Sequence, residues 1–195
     1  MKDIVVVFAR APRLGAVKRR LAREIGARAA LRFHLATLTR LTRALTADRR
    51  YRTVLAITPD RSRLRLPVRV ARMPQGSGHL GIRMHRAFRR FPRGRVALIG
   101  CDIPDAGPAD VLAAFRALGS AQAAFGPAVD GGYWLVALSP RRPARPFAAV
   151  RWSSEHALAD TLMNFVGRRV AMLRTLHDVD TADDLRRLST EENDQ

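Results

Sequence analysis

Val96-Ala97-Leu98-Ile99-Gly100-Cys101-Asp102-Ile103-Pro104 is the stretch whose reading decides the fold. Four apolar residues, two of them β-branched, predict a buried strand, because a strand covered on both faces needs no alternation. Gly100 breaks the run, Asp102 follows, and Pro104 removes a backbone donor, so the chain cannot pair further. In an open α/β sheet, ligands lie just beyond the carboxyl ends of strands. Asp102 therefore stands where a metal or a substrate would sit. Burying an unpaired carboxylate costs on the order of several kcal/mol, which leaves little structural reason to put one there.

Working outward, strands and helices alternate. Ile4 to Phe8 is a continuous apolar run and reads as a central parallel strand. A loop with a proline and a glycine follows. From Val17 to Ala47 apolar residues recur at helical spacing (Leu21, Ile25, Leu31, Leu35, Leu38, Leu41, Leu45), with Gly26 splitting the run into two helices. Thr53–Thr58 and Val68–Val70 read as strands, Gln75–Gly78 as a flexible loop, and Leu80–Phe91 as a helix. Beyond the opening strand, Pro108–Leu118 is a helix with proline in its first turn. Ala123–Phe125, Tyr133–Leu138 and Val170–Leu173 are further strands. Ser154–Val166 is a helix capped by Ser153 or Ser154 and ended by Gly167. Thr181–Leu188 is a final helix that Asp180 can cap, followed by a polar, frayed tail over 189–195. This order predicts a three-layer α/β/α sandwich with a mostly parallel central sheet, in a single domain over residues 1–188.

Composition sets the class. With 47% hydrophobic residues in 195, the chain can build a core without staples. No apolar stretch reaches bilayer length, and the N-terminus lacks a signal-peptide pattern, which predicts a cytoplasmic protein. Cys101 is the only cysteine, so an intramolecular disulfide and a cysteine-based zinc site are excluded. The formal charge is +18, and only Lys2 and Lys18 among the 35 basic residues are lysines. The arginines are scattered, with no long basic run and no interleaved aromatics. That pattern argues against nucleic-acid binding and fits an acidic small ligand such as a nucleotide phosphate.

Four constellations carry chemistry. Ala9 to Leu21 joins the first strand to the first helix, where Lys18 and Arg20 offer positive charge to phosphate oxygens. It lacks the spacing of a Walker A loop. Asp102, Asp105 and Asp130 offer the hard oxygens that Mg²⁺ or Mn²⁺ prefers. Asp130-Gly131-Gly132 reads equally well as a hairpin turn between two strands. Asp178 and Asp180 face the same way if their segment is extended, although Asp180 also reads as a helix cap. Gln75-Gly76-Ser77-Gly78 combines a base-reading amide with a close backbone approach.

In order, the chain shows Pro-x-x-Gly-x-Val-Lys-x-Arg-Leu, Gln-Gly-x-Gly-x-Leu-Gly-x-Arg, Gly-Cys-Asp-Ile-Pro, Gly-Pro-Ala-x-Asp-Gly-Gly-Tyr-Trp-Leu, Trp-Ser and Asp-x-Asp-Thr-x-x-Asp-Leu. These segments, from Ile4 to Leu188, resemble the bacterial transferases described as radical-SAM/selenodomain-associated. Those belong to the nucleotide-diphospho-sugar transferase (GT-A) superfamily, and some are filed as arsenosugar-biosynthesis glycosyltransferases. The chain is also similar to small nucleotidyltransferases, such as phospholactate and molybdenum-cofactor guanylyltransferases. The resemblance implies that Arg10, Pro12, Gly15, Lys18 and Arg20 contact a nucleotide, with Lys18 and Arg20 on its phosphates. It implies that Gln75, Gly76 and Gly78 face the base, and that Asp102 ligates Mg²⁺ or Mn²⁺. Asp180 matches the second metal ligand of CMP-sugar synthetases. Asp130, Gly131, Gly132, Tyr133 and Trp152 would line an acceptor or sugar pocket. Arg19 and His79 depart from the usual threonine and aspartate.

Two reactions follow from the resemblance, with Lys18, Arg20 and Asp102 as the catalytic set. In nucleotidyl transfer, a phosphorylated or phosphonate small molecule attacks a nucleoside triphosphate. In glycosyl transfer, an acceptor hydroxyl attacks a nucleotide-sugar. The lysine–arginine loop favours the first. A non-enzymatic nucleotide-binding or scaffold protein and a basic nucleic-acid binder are the remaining alternatives.

Overall fold

The computed structural model describes residues 2–193. The elements in chain order are β1 (Asp3–Arg10), α1 (Arg19–Ile25), α2 (Ala27–Ala47), β2 (Tyr51–Thr58), β3 (Ala71–Pro74), α3 (Leu80–Arg89), β4 (Val96–Gly100), α4 (Pro108–Ala117), β5 (Ala123–Pro127), β6 (Tyr133–Leu138), α5 (Ala157–Met163), β7 (Val170–Met172) and α6 (Ala182–Asn193). The sheet has seven strands in the order β3-β2-β1-β4-β6-β5-β7. Every pairing is parallel except those of β6, which runs against both β4 and β5.

The sheet is mostly parallel with helices on both faces, as the alternation of segments predicts. β1 alternates its side chains between two cores. Val5, Val7 and Ala9 join α2 and α4 on one face, with Leu38, Leu41, Val111 and Phe115. Ile4 and Val6 join the other face, where Met84 and Phe88 of α3 meet Phe125 and Phe165. Because both faces are covered, β1 and β4 read as unbroken apolar runs. The chain leaves β1 toward β2 on one side and returns to β4 on the other. The carboxyl ends of β1 and β4 therefore form a topological switch point, where α/β sheets bind ligands.

Several boundaries differ from the sequence expectation. The third strand is Ala71–Pro74, not Val68–Val70. α5 begins at Ala157, after a turn in which Ser153 is left-handed (φ 61°), and neither serine caps it through its side chain. The last helix runs past Leu188 to Asn193, so the expected frayed tail is helical over its described part, and 194–195 lie outside the described residues. Among the described residues, no helix is long and apolar enough to cross a membrane.

Candidate active site

A cleft of about 450 Å³ opens at the switch point, lined by Arg10, Lys18, Arg20, His34, Arg83, Asp102 and Asp180 among others. The β1–α1 loop turns at Gly15 (φ 73°), and Lys18 ends it in the left-handed region (φ 45°, ψ 51°). For a residue with a Cβ this conformation costs roughly 1–2 kcal/mol, the kind of strain that persists at functional sites. In return the Lys18 ammonium is buried, with Nζ 2.9 Å from Asp180 Oδ1 and 3.4 Å from Asp102 Oδ1. Burial pulls the Lys18 pKa down, but Asp102 and Asp180 outweigh it and raise the pKa overall.

Asp102 lies in the loop after β4. Its carboxylate is half open to solvent but sits low in the cleft, ringed by protein. Burial pushes its pKa up, yet His34 and Lys18 bring it down to about 2. His34, on α2, is 3% exposed. Its Nε2 lies 3.1 Å from the Arg10 carbonyl oxygen, which only accepts, so Nε2 carries a proton. Nδ1 then faces Asp102 Oδ1 at 3.6 Å with no hydrogen-bond partner. Cys101 Sγ is 3.8 Å from the same oxygen, and burial holds its thiol well above its ordinary pKa, so it is not a nucleophile.

Asp180 arrives from the far end of the chain. The sequence reads it as a cap of α6, but that role belongs to its neighbours. Asp184 accepts from the Asp180 and Thr181 backbone N–H groups, and Thr181 Oγ1 accepts from Asp184 N–H. Ala182 N–H donates to Glu24 of α1, and Val179 N–H to the Asp102 carbonyl. These bonds draw the two aspartate loops together and leave the Asp180 carboxylate for the cleft. Two carboxylates already share one cation, the Lys18 ammonium, beside a buried imidazole nitrogen without a partner. His34, Cys101 and Asp102 bring ligand atoms within 4.8 Å of one another, a group that could hold a metal ion, and Asp180 is joined to it through Lys18. Asp105 is exposed and outside the cleft; its carbonyl accepts from Arg174.

The remaining expected nucleotide contacts divide. Arg10, Arg19, Arg20 and Arg83 line the cleft. Arg20 is 78% exposed and only 3.7 Å from Asp180. Burial and the nearby Arg10 lower the Arg83 pKa, a mark of positive charge gathered without a fixed partner anion. Pro12, Gly15, Gly76 and Gly78 shape loops without lining the cleft. Gln75 lines it, but its side chain is not available to a base. Both protons of its amide are used, on the carbonyls of Ala9 (3.0 Å) and Ala56 (2.9 Å), and its Oε1 accepts from Arg83. The Gln75–Gly78 loop is pinned as well: Asp60 accepts from the Gln75 and Gly76 N–H groups, and Arg86 donates to the carbonyls of Gln75 and Ser77. Gln75 is thus a positioning residue that holds Arg83 and the strand ends.

A second cavity of about 430 Å³ adjoins the first, and Phe8, Leu80, Asp102 and Ser153 line both. Asp130, Gly132, Tyr133 and Trp152 line it as expected, together with Asp178. Gly131 does not line it. It packs so closely on the chain before α5 that a Cβ would lie 2.1 Å from the Glu155 carbonyl oxygen. Asp-Gly-Gly is also the hairpin turn: Ala128 N–H donates to the Gly132 carbonyl between β5 and β6. Burial raises the Asp178 pKa, and the negative charges of Asp180 and Asp130 add to the rise.

Sequence reasoning gave no site role to His34 or Arg83, and read Ser153 as a helix cap. His34 had a visible signal. The buried stripe of α2 runs Ala30, His34, Thr37, Leu38, Leu41, Thr42, Leu45, while Leu35 is exposed, so His34 is the one ionisable side chain on that face.

The fold is an α/β fold of the nucleotide-diphospho-sugar transferase type. The chain belongs to the family described as "uncharacterized protein conserved in bacteria (DUF2064)", whose model matches residues 37–154. A candidate nucleotide-diphospho-sugar transferase from Desulfovibrio desulfuricans G20 is 28% identical, with a TM-score of 0.90 over 96% of this chain and 87% of that one. Rv0371c from Mycobacterium tuberculosis, solved as a complex with manganese, is 20% identical, with a TM-score of 0.54 over 96% and 98%. A CMP:2-keto-3-deoxy-manno-octonic acid synthetase complexed with CTP is 12% identical, with a TM-score of 0.60 over 100% and 99%. The last two share the fold. No curated protein matches the chain in sequence.

Proposed function

We propose that the protein is a metal-dependent transferase that takes a nucleoside triphosphate and moves its nucleotidyl group to a small-molecule acceptor. One observation carries this reading: a buried lysine ammonium shared by two aspartates at the switch point, beside Arg10, Arg20 and Arg83. Asp102 and Asp180 would hold Mg²⁺ or Mn²⁺, with His34 Nδ1 beside them. When bound, the cation neutralises charge on the transferring and leaving phosphates. Lys18, released from the carboxylates it shares, turns its ammonium to the phosphates, and Arg10 and Arg20 receive the leaving pyrophosphate. Gln75 fixes Arg83 at the cleft wall. Such an enzyme works in the cytoplasm, where its donor is made.

Glycosyl transfer from a nucleotide-sugar is the second reading. The aromatic and acidic second cavity favours it, as does the description of the D. desulfuricans relative. A thermal-shift panel of nucleoside triphosphates and nucleotide-sugars, with and without Mg²⁺ or Mn²⁺, decides between them, because a ligand of the native state raises the melting temperature. A triphosphate response with pyrophosphate release supports nucleotidyl transfer. A nucleotide-sugar response with nucleoside diphosphate release supports the second reading. If no nucleotide stabilises the protein under any metal, both fall.

A further inference from the structure

The two cavities that meet at Asp102 differ in charge. The nucleotide cleft gathers Arg10, Lys18, Arg19, Arg20 and Arg83. The wall of the second cavity carries three carboxylates, Asp102, Asp130 and Asp178, and no lysine, arginine or histidine. In a chain with 35 basic residues among 195, that absence is a selective feature. Asp130 is held in place by its own turn, with Oδ1 accepting from Gly132 N–H at 2.9 Å. Ionised carboxylates only accept hydrogen bonds, so a ligand here must donate them. The apolar part of the wall mixes aromatic and aliphatic side chains: Tyr133 and Trp152 meet edge to face at 6.4 Å, beside Leu80, Met84, Leu98 and Val136. Ring faces suit the C–H face of a saturated ring or carbon chain.

We propose that this cavity takes the acceptor, and that the acceptor is an uncharged sugar or polyol carrying no phosphate. The proposal rests on the nucleotide-donor reading and narrows it, replacing the phosphorylated or phosphonate acceptor expected from the sequence. A phosphomonoester dianion would face like charge from Asp130 and Asp178 with no lysine, arginine or histidine of the wall to receive it, and a cation on Asp102 is already taken by the nucleotide phosphates. In the transfer, an acceptor hydroxyl oxygen bonds to the α-phosphorus, and the bond from that phosphorus to the bridging oxygen breaks. Pyrophosphate leaves with the electron pair, and the hydroxyl proton passes to solvent.

Saturation-transfer NMR on the full chain tests this, in the presence of Mg²⁺ and a non-hydrolysable triphosphate. The probes are glucose, ribose, inositol and glycerol at millimolar concentration, their monophosphates, and ethanolamine. Neutral probes are expected to receive saturation and monophosphates none. In the doubly substituted Asp130→Asn, Asp178→Asn protein, the monophosphates should gain affinity by about tenfold or more, since the repulsion is gone. Thermal melts establish that the substituted protein is folded, and a single Asp130→Asn protein gives the same test in milder form. The proposal is overturned if monophosphates bind the natural protein as well as the neutral probes do, if only ethanolamine binds, or if no neutral probe binds. The nucleotide-induced rise in melting temperature is read separately. Its presence without neutral-probe binding sinks the acceptor proposal alone, and its absence sinks the donor reading beneath it.

Discussion

The sheet has two halves that do different work. In β3-β2-β1-β4 every strand is parallel, each crossover returns to the same edge, and the loops at that edge bring lysine and arginine together. In β6-β5-β7 one strand is reversed, and its hairpin delivers Asp130 and Tyr133, while Trp152 and Asp178 arrive from the segments before α5 and α6. Asp102 lies at the seam and faces both. Backbone topology thus places two opposite chemistries at one edge, and the side chains on each half decide what that half can hold.

The sharpest way to break this division is at the seam. Asp102→Asn should abolish the metal-dependent part of any nucleotide-induced thermal shift and lower transfer by about 10²–10³-fold, the range seen when a single stabilising group is removed. An unchanged metal response in calorimetry would show that Asp102 is not the ligand. Gln75→Leu tests the parallel half alone. It strips partners from the Ala9 and Ala56 carbonyls and from Arg83. Each buried carbonyl left unsatisfied costs about 1–3 kcal/mol, so for the two carbonyls a loss of roughly 2–6 kcal/mol in urea unfolding is expected.

Lys18→Met separates the two roles of the ammonium. With the shared cation gone, Mn²⁺ alone should bind more tightly, as read by electron paramagnetic resonance. Nucleotide should bind about 30- to 100-fold more weakly, in keeping with roughly 2–3 kcal/mol for one partner of a buried charge pair. If both affinities fall together, Lys18 does not compete with the metal. Arg20→Ala should cost tenfold or less in nucleotide affinity, because its side chain is exposed and its contact with Asp180 is long.

A smaller effect follows from pH. The Asp102 pKa is about 2, below the value of about 3.9 expected for an unfolded aspartate. A depressed carboxylate adds stability that is fully present above the unfolded value and is lost as pH falls from about 4 toward 2. The stability gap between the natural protein and Asp102→Asn should therefore be widest at neutral pH and narrow through that window in urea titrations.

Most of the fold was legible because the core strands are self-announcing. Ile4–Phe8 and Val96–Ile99 are buried on both faces and say so in their side chains, and Gly26 marks the break between α1 and α2. β3 was not legible. Ala-Arg-Met-Pro carries no strand signal of its own and is a strand because β2 pairs with it at the sheet edge, whereas Val70, just before it, packs against the core. At the site, Lys18, Asp102 and Asp180 could be found by residue type and resemblance. The true role of Gln75 could not, since a buried amide and a base-reading amide look alike until their partners are known. Asp180 was ambiguous for a similar reason: Asp180 and Thr181 can each cap a helix, and only the Asp184 bonds show which one does.

The reversal of β6 has a consequence for how such a protein diversifies. Because β6 runs backwards, its first residue lies at the same edge as the last residues of the parallel strands. One five-residue connection, 128–132, then supplies Asp130 and sets up Tyr133 without threading through the phosphate cleft. That segment is a cassette. Its length and side chains can change, or be exchanged by an engineer, while the cluster of Lys18, Asp102 and Asp180 keeps its geometry. On the proposed reading, acceptor choice is set at this hairpin and donor choice at Lys18.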